Sequence, residues 1–238
     1  MRVARATGSA LLAQVFAALD GRAPPVAVAF CNAHTAEIAF KDAAYAQVLA
    51  ACLVVNDGVG VEIGARLMTG RGFPENLNGT DFLPRLFAAL PRPTRVFLLG
   101  AKPGVAAEAA ARFAAQYPHY IDAGARDGYF PAHEAPAIAE AVRATGADIA
   151  LIALGNPAQE RFMVAHLEAM GARAAFGVGA LLDFTAGRVR RAPEWVRTLR
   201  AEWLYRLAQE PRRLARRYLI ETPVFLAMAL RLKAKGRG

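Results

Sequence analysis

The chain has 238 residues, 55% of them hydrophobic and 9% aromatic, and a net charge of +9. Such a chain buries a sizeable core, in one large α/β domain or two small ones, and the composition excludes extensive disorder. The charge is uneven: residues 188–238 carry 14 Lys/Arg against 4 Asp/Glu, and the first 187 residues carry 15 against 16. An excess confined to one end points to an anionic partner there, whether nucleic acid, a phosphate-bearing substrate or an acidic membrane face.

The opening segment, "MRVARATGSALLAQVFAALDG" (1–21), imitates a secretory signal, but Gln14 interrupts the apolar stretch, Asp20 follows it and no A-x-A-like cleavage site appears. It reads as an amphipathic first helix. "VAVAF" (26–30) predicts a strand, followed by a helical pattern from about His34 to Ala50. "ACLVVN" (51–56) predicts a second strand, leading into a helix after Asp57. "TRVFLLG" (94–100) and "ADIALIALG" (147–155) each precede a helical stretch, at 102–117 and 156–170, and "ARAAFGVG" (172–179) closes the series. Continuous apolar strands alternating with helices predict a Rossmann-like, mostly parallel α/β sheet with helices on both faces. After "RAP" (191–193) the chain turns arginine-rich and strand-free, so the expected division is a core of residues 1–190 and a basic helical appendage of 191–238. No uninterrupted apolar run reaches the roughly 20 residues a membrane-spanning helix needs. Cys31 and Cys52 lie in apolar runs without metal-ligand spacing and read as buried thiols in a reducing compartment.

Ligands of such sheets bind beyond the carboxyl ends of the strands. Asn32, Asp57, Gly100, Gly155 and Gly179 all fall at strand ends, so they are expected on one rim. In "NDGVG" (56–60), Asp57 either caps the next helix or accepts a proton from an attacking hydroxyl, with Gly58 and Gly60 admitting substrate close to the backbone. "FLLGAKPG" (97–104) is either an ordinary strand-to-helix turn or a phosphate cradle. It has neither G-x-G-x-x-G nor the Lys-Ser/Thr of a P-loop. In "LGNPAQE" (154–160), Pro157 suits a first helical turn, Asn156 and Glu160 read as caps, and Gln159 offers a donor and acceptors for sugar hydroxyls or a pyrimidine edge. Asp183, in "GVGALLDFTAG", either reaches a ribose hydroxyl or fixes its own turn. "EWLYRLAQEPRRLARRYL" (202–219) places Arg206, Arg213, Arg216 and Arg217 at mostly helical spacing beside Trp203, Leu204 and Leu207. That segment is a solvated basic face, a membrane-surface helix or a set of arginines closing over a diphosphate.

The ordered set "FCNAHTAEIAF", "VVNDGVGVEIGARL", "NGTDFLPRL", "VFLLGAKPGVAAEAA", "ALGNPAQERF", "FGVGALLDFTAG", "RRAPEW" and the arginine-rich segment resembles the WecG/TagA/CpsF glycosyltransferase family over roughly residues 26–220. "PENLNGTDF" (74–82) resembles its GumM-like branch of xanthan-type glucosyltransferases. The resemblance implies inverting transfer of a hexosyl unit, glucose in that branch, from a UDP-sugar to a polyprenyl-diphosphate-linked saccharide. N-acetylmannosaminyl transfer is the alternative within the family. It implies Asp57 as general base, Asn32 in the sugar site, Gln159 on the donor sugar or its diphosphate, and Asp183 on the nucleoside. Arg206, Arg213 and Arg216 would approach the pyrophosphate, and Asn56, Gly58, Asn78, Gly100, Gly155 and Gly179 complete the expected substrate contacts. Phe30, where relatives often carry Thr, and Glu75-Asn76, where some carry Arg, depart from the family pattern. No D-x-D motif is present, so no metal or other cofactor is expected. The expected location is cytoplasmic, peripheral on the inner membrane face through the basic tail, with an oligomer compatible with the reading. Two other classes compete. A nucleic-acid-binding protein would explain the pI of about 10.1, but no helix-turn-helix, RNA-recognition or zinc pattern accompanies it. A Rossmann oxidoreductase would need the glycine fingerprint the chain lacks.

Overall fold

The computed structural model describes residues 2–198, 201–234 and 236. Six parallel strands form one sheet: β1 (Val26–Cys31), β2 (Leu53–Asn56), β3 (Thr94–Gly100), β4 (Tyr120–Arg126), β5 (Ile149–Ala153) and β6 (Ala174–Gly177), in the order β2-β1-β6-β5-β3-β4. The α/β Rossmann-like architecture expected from the alternating pattern is the one observed.

Side chains alternate cleanly across the sheet. Val28, Phe30, Val55, Leu98, Leu151 and Phe176 join one core with α1 (Gly8–Leu19), α5 (Gly79–Ala88), α6 (Val105–Gln116) and α9 (Leu181–Thr185). Ala27, Phe97, Leu99, Ala150 and Ile152 face the other way, onto α7 (Ala135–Ala144) and α8 (Ala158–Met170). Ala29, Cys31 and Val54 extend that second face onto α2 (Ala33–Lys41) and α3 (Ala43–Ala50), and Val61 of α4 (Val59–Thr69) joins them. Apart from α4, the helices of connections running toward β4 therefore lie on the first face and those of connections running toward β2 on the second, the segregation that right-handed crossovers produce. The chain leaves β3 toward β4 and leaves the adjacent β5 toward β6. Ligand crevices of open parallel sheets form at such a divergence.

Two elements differ from the sequence reading. Strand β4, "YIDAGAR", was absent from the predicted series because it has no apolar run: it is an edge strand paired only with β3, and only Tyr120 in it is buried. The helix expected from His34 to Ala50 is two helices. Asp42 breaks it with an extended backbone (φ −119°, ψ 100°), and its Oδ1 caps α3 by accepting from Tyr45 N at 3.0 Å. The first segment forms α1, capped by Thr7, with Leu11, Val15, Ala18 and Leu19 buried at helical spacing.

Beyond residue 190 the described residues hold α10 (Glu194–Thr198), α11 (Glu202–Gln209), α12 (Pro211–Arg216), a π-helical turn (Arg217–Glu221) and α13 (Thr222–Ala234), with no strand. This segment packs back on the sheet's second face. Phe225 of α13 lies against Gly64 of α4, where an added Cβ would meet its ring at 2.7 Å. Arg191 joins Asp81 at 2.5 Å and Glu202 at 3.4 Å. No helix among the described residues is long and apolar enough to cross a membrane.

Candidate functional site

The strand registers Cys31↔Asn56, Ala29↔Gly177, Ile152↔Gly177 and Gly100↔Ala153 bring the carboxyl ends of β2, β1, β6, β5 and β3 level. At a strand spacing near 4.8 Å, the rim from β2 to β3 is about 19 Å long.

At the β2 end, the backbone N–H of Asp57 donates to Cys31 O at 2.8 Å, fastening the exit of β2 to the end of β1. The N-cap position of α4 is held by Gly58, at φ +86°, and not by the half-buried Asp57. Positive φ strains any residue with a Cβ, which accounts for the glycine. Gly58 N donates to Asn76 Oδ1 at 2.8 Å, and Asn56 Nδ2 donates to Glu75 O at 3.0 Å. The 74–78 loop is thereby stitched to the turn that carries Asp57. Asn56 Oδ1 is buried without a hydrogen-bond partner. Asn78 caps α5, accepting from Asp81 N at 2.9 Å. Glu75 serves a different end of the fold: it accepts from Gly8 N at 2.7 Å and pairs with Arg85 at 2.9 Å. Phe30 lies inside the first core against Phe82, and a Cβ on Gly79 would touch its ring at 3.0 Å. Gly60, read from the sequence as room for substrate, makes room for protein: a Cβ there would meet Ala33 at 3.0 Å and Thr222 at 3.5 Å.

Asn32 is the N-cap of α2, its Oδ1 accepting from Thr35 N at 3.1 Å and Thr35 Oγ1 at 3.3 Å. These bonds occupy the oxygen and leave the amide nitrogen available to a ligand. His34, two residues further, pairs through Nδ1 with Glu221 Oε2 at 2.8 Å. His34, Glu37 and Glu221 bring ligand atoms within 4.8 Å of one another. Glu37 is committed to Lys41 as well, so the cluster reads as a joint between α2 and the C-terminal segment.

At the divergence of β3 and β5, a Cβ on Gly100 would lie 2.4 Å from Ala153 O, so only glycine fits. Gly104 begins α6 without a side-chain cap, leaving first-turn N–H groups at the rim. Gly155 follows β5 at φ +76°, ahead of a cis Asn156–Pro157 bond. The cap expected of Asn156 is absent: Pro157 is the N-cap of α8, and Asn156 Nδ2 donates instead to Glu160 Oε1 at 2.6 Å. Gln159 is only 2% exposed, its Nε2 donating to Glu160 Oε1 at 2.7 Å and its Oε1 accepting from Gly179 N at 3.2 Å. Glu160, read from the sequence as a cap, is fully buried and also accepts from Tyr45 Oη at 2.9 Å. Asp183 is half-buried in the first turn of α9, and its backbone oxygen accepts from Arg188 and Val189.

Burial raises the Glu160 carboxyl above its usual range, against the lowering effect of its bonds from Gln159, Tyr45 and Asn156. Burial, then the carboxylates of Asp57 and Glu160, push the Cys31 thiol up to about 12. Burial and Glu160 push Cys52 up to about 12 as well. Both thiols stay protonated near neutrality and are inert as nucleophiles.

The structure thus brings Asn32, Asn56, Asp57 and Gly58 together at one part of the rim, and Gly155, Gln159 and Gly179 at another, with Gly100 beside Ala153. Arg216 of α12 is exposed and lies 3.5 Å from Glu221, which contacts α2. The side chains of Arg206 and Arg213, on α11 and α12, lie outside the described residues. Sequence reading missed Tyr45 and the buried role of Glu160. They lie 115 residues apart, and nothing local marks them as partners. The model of the WecG/TagA/CpsF family of glycosyl transferases matches residues 1–238.

Proposed function

The chain belongs to the WecG/TagA/CpsF glycosyl transferase family, and from that premise we propose that it moves a hexosyl unit, glucose as expected for the GumM-like branch, from a UDP-sugar to a polyprenyl-diphosphate-linked saccharide. The observation that carries this reading is the placing of Asp57. It leaves the sheet beside Cys31, next to the strand end that bears Asn32, and the cap position of α4 belongs to Gly58.

An acceptor hydroxyl attacks the anomeric carbon as the bond to the UDP oxygen breaks on the opposite face, inverting the centre. Asp57 takes the hydroxyl proton as the new bond forms, help typically worth about 10²–10⁴-fold. Asn32 directs its amide nitrogen to a sugar hydroxyl, and Asn56, Gly58 and Asn78 shape that end of the rim. The diphosphate, doubly charged in the donor, keeps the electron pair of the broken bond and leaves as UDP with a third negative charge. The uncapped start of α6 beside Gly100, together with Arg206, Arg213 and Arg216 from the C-terminal segment, offsets that charge without a metal. Gln159, buried beneath the rim, supports the donor through the Gly179 turn that leads to Asp183 and the nucleoside.

Residues 191–238 form the appendage of this scheme and hold the enzyme on the inner face of an anionic membrane. Exposed Trp195, Leu204, Leu219 and Ile220 beside exposed Arg212 and Arg216 support that role. Residues 188–238 carry the whole charge excess, which suits a lipid diphosphate and its bilayer better than a nucleic acid.

Incubating the protein with radiolabelled UDP-sugars and short-chain lipid-diphosphate acceptors, with and without EDTA, tests the scheme. Glucose label should move to lipid at equal rates in both conditions. Transfer of N-acetylmannosamine alone would reassign the sugar. Loss of transfer in EDTA with recovery on adding Mg²⁺ would overturn metal independence, and UDP-sugar binding absent altogether would end the proposal.

A further inference from the structure

Glu160 is a carboxylate with no exposed surface, and the transfer scheme gives it no part. Burying a charge is costly, so a protein that retains one surrounds it with donors. Here three side chains converge on it from separate elements: Tyr45 from α3, Asn156 from the loop after β5, and Gln159 from α8. Tyr45 is itself fully buried.

An ionised carboxylate can only accept hydrogen bonds. It therefore dictates which end of the Gln159 amide faces it. The NH₂ group turns to Glu160 Oε1, and the oxygen is left for Gly179 N, 3.2 Å away. Were the amide reversed, its NH₂ would confront the Gly179 N–H and its oxygen would confront the carboxylate. Gly177 confirms how tight the seat is, since a Cβ there would lie 2.8 Å from Gln159 Nε2. The chain Tyr45–Glu160–Gln159–Gly179 thus runs unbroken from α3 to the turn between β6 and α9, the turn that leads to Asp183 in the first turn of α9.

We propose that Glu160 is a positioning residue for the donor nucleotide, acting through Gln159 to hold the Gly179 turn at the rim. The inference rests on the donor site described above. Two outcomes follow for variants at Glu160. Glu160→Leu removes the acceptor at similar volume and frees the Gln159 amide. Glu160→Gln can restore the pattern, its oxygen accepting from Asn156 and Gln159 and its nitrogen donating to Tyr45.

The test combines calorimetric titration of UDP with transfer kinetics, on wild type, Glu160→Leu, Glu160→Gln, Gln159→Ala and the Glu160→Leu/Gln159→Ala double variant. Circular dichroism of each provides the check on folding. Glu160→Leu should weaken UDP binding and raise the donor KM about ten-fold or more, with a smaller change in kcat. Glu160→Gln should stay within about three-fold of wild type. The double variant should be no worse than Gln159→Ala alone, because a group acting through another loses its effect once that partner is gone. Should Glu160→Leu fail to fold, Tyr45→Phe, which deletes one donor and keeps the ring, takes its place in the same cycle. Additive losses in the double variant, or folded Glu160→Leu with wild-type UDP affinity, would overturn the inference while leaving the transferase reading intact. A wild-type protein that binds no UDP would overturn both.

Discussion

At the scale of the residue, the rim is built from polar groups whose neighbours decide what they can do. Asn32 spends its oxygen on Thr35 and keeps its nitrogen, whereas Glu160 spends both oxygens on three donors. Burial is the largest influence on Glu160 and raises its proton affinity. Tyr45, Cys31, Cys52, Asn156 and Gln159 face it or interact with it. A carboxyl that binds its proton more tightly folded than unfolded costs stability as pH rises from the unfolded value, near 4.3, through the folded one. The cost is absent below that window and complete above it. Glu160→Gln escapes it, so its melting temperature relative to wild type should rise between pH 4 and pH 7. Each kcal/mol of relief corresponds to roughly 2–4 °C in a chain of this size. A relative melting temperature that falls over the same range would show that the three hydrogen bonds outweigh the burial.

Between elements, the decisive contact is that of α13 with α4. Gly60 and Gly64 lie one turn apart on α4, and their missing side chains admit Thr222 and Phe225. The His34–Glu221 pair fastens the preceding π-helical turn to α2. The two helices that receive the C-terminal segment are thus the ones that begin next to Asn32 and Asp57. Gly64→Leu would force side chain into the Phe225 ring, and overpacking of this kind costs about 1–3 kcal/mol. Tryptic cleavage within residues 191–238 should accelerate several-fold in Gly64→Leu, and Gly64→Leu/Phe225→Ala should restore most of the protection. Cleavage at the wild-type rate would show that the segment does not depend on this seat.

Taken as a whole, the molecule was legible in sequence wherever strands are buried on both faces. β1, β3, β5 and β6 announce themselves as apolar runs because they sit inside the sheet. β4 does not, since a single-partner edge strand tolerates Asp122, Gly124 and Arg126. Asp57 and Asn32 could be placed on one rim because strand ends follow from strand positions. The Tyr45–Glu160 pair could not, since contacts between α3 and α8 depend on how two helices pack on one face, which no local pattern encodes. Gly60 misled for the same reason: a glycine beside a candidate catalytic residue suggests substrate, and only the packing of α13 explains it. The account as a whole depends on an ionised Asp57 acting as base at the exit of β2. Asp57→Asn keeps the shape and removes that basicity, so the transfer rate from UDP-sugar to a lipid-diphosphate acceptor is the most direct measurement. The account predicts a fall of about 10²–10⁴-fold with UDP affinity unchanged, and transfer by Asp57→Asn at near the wild-type rate would contradict it.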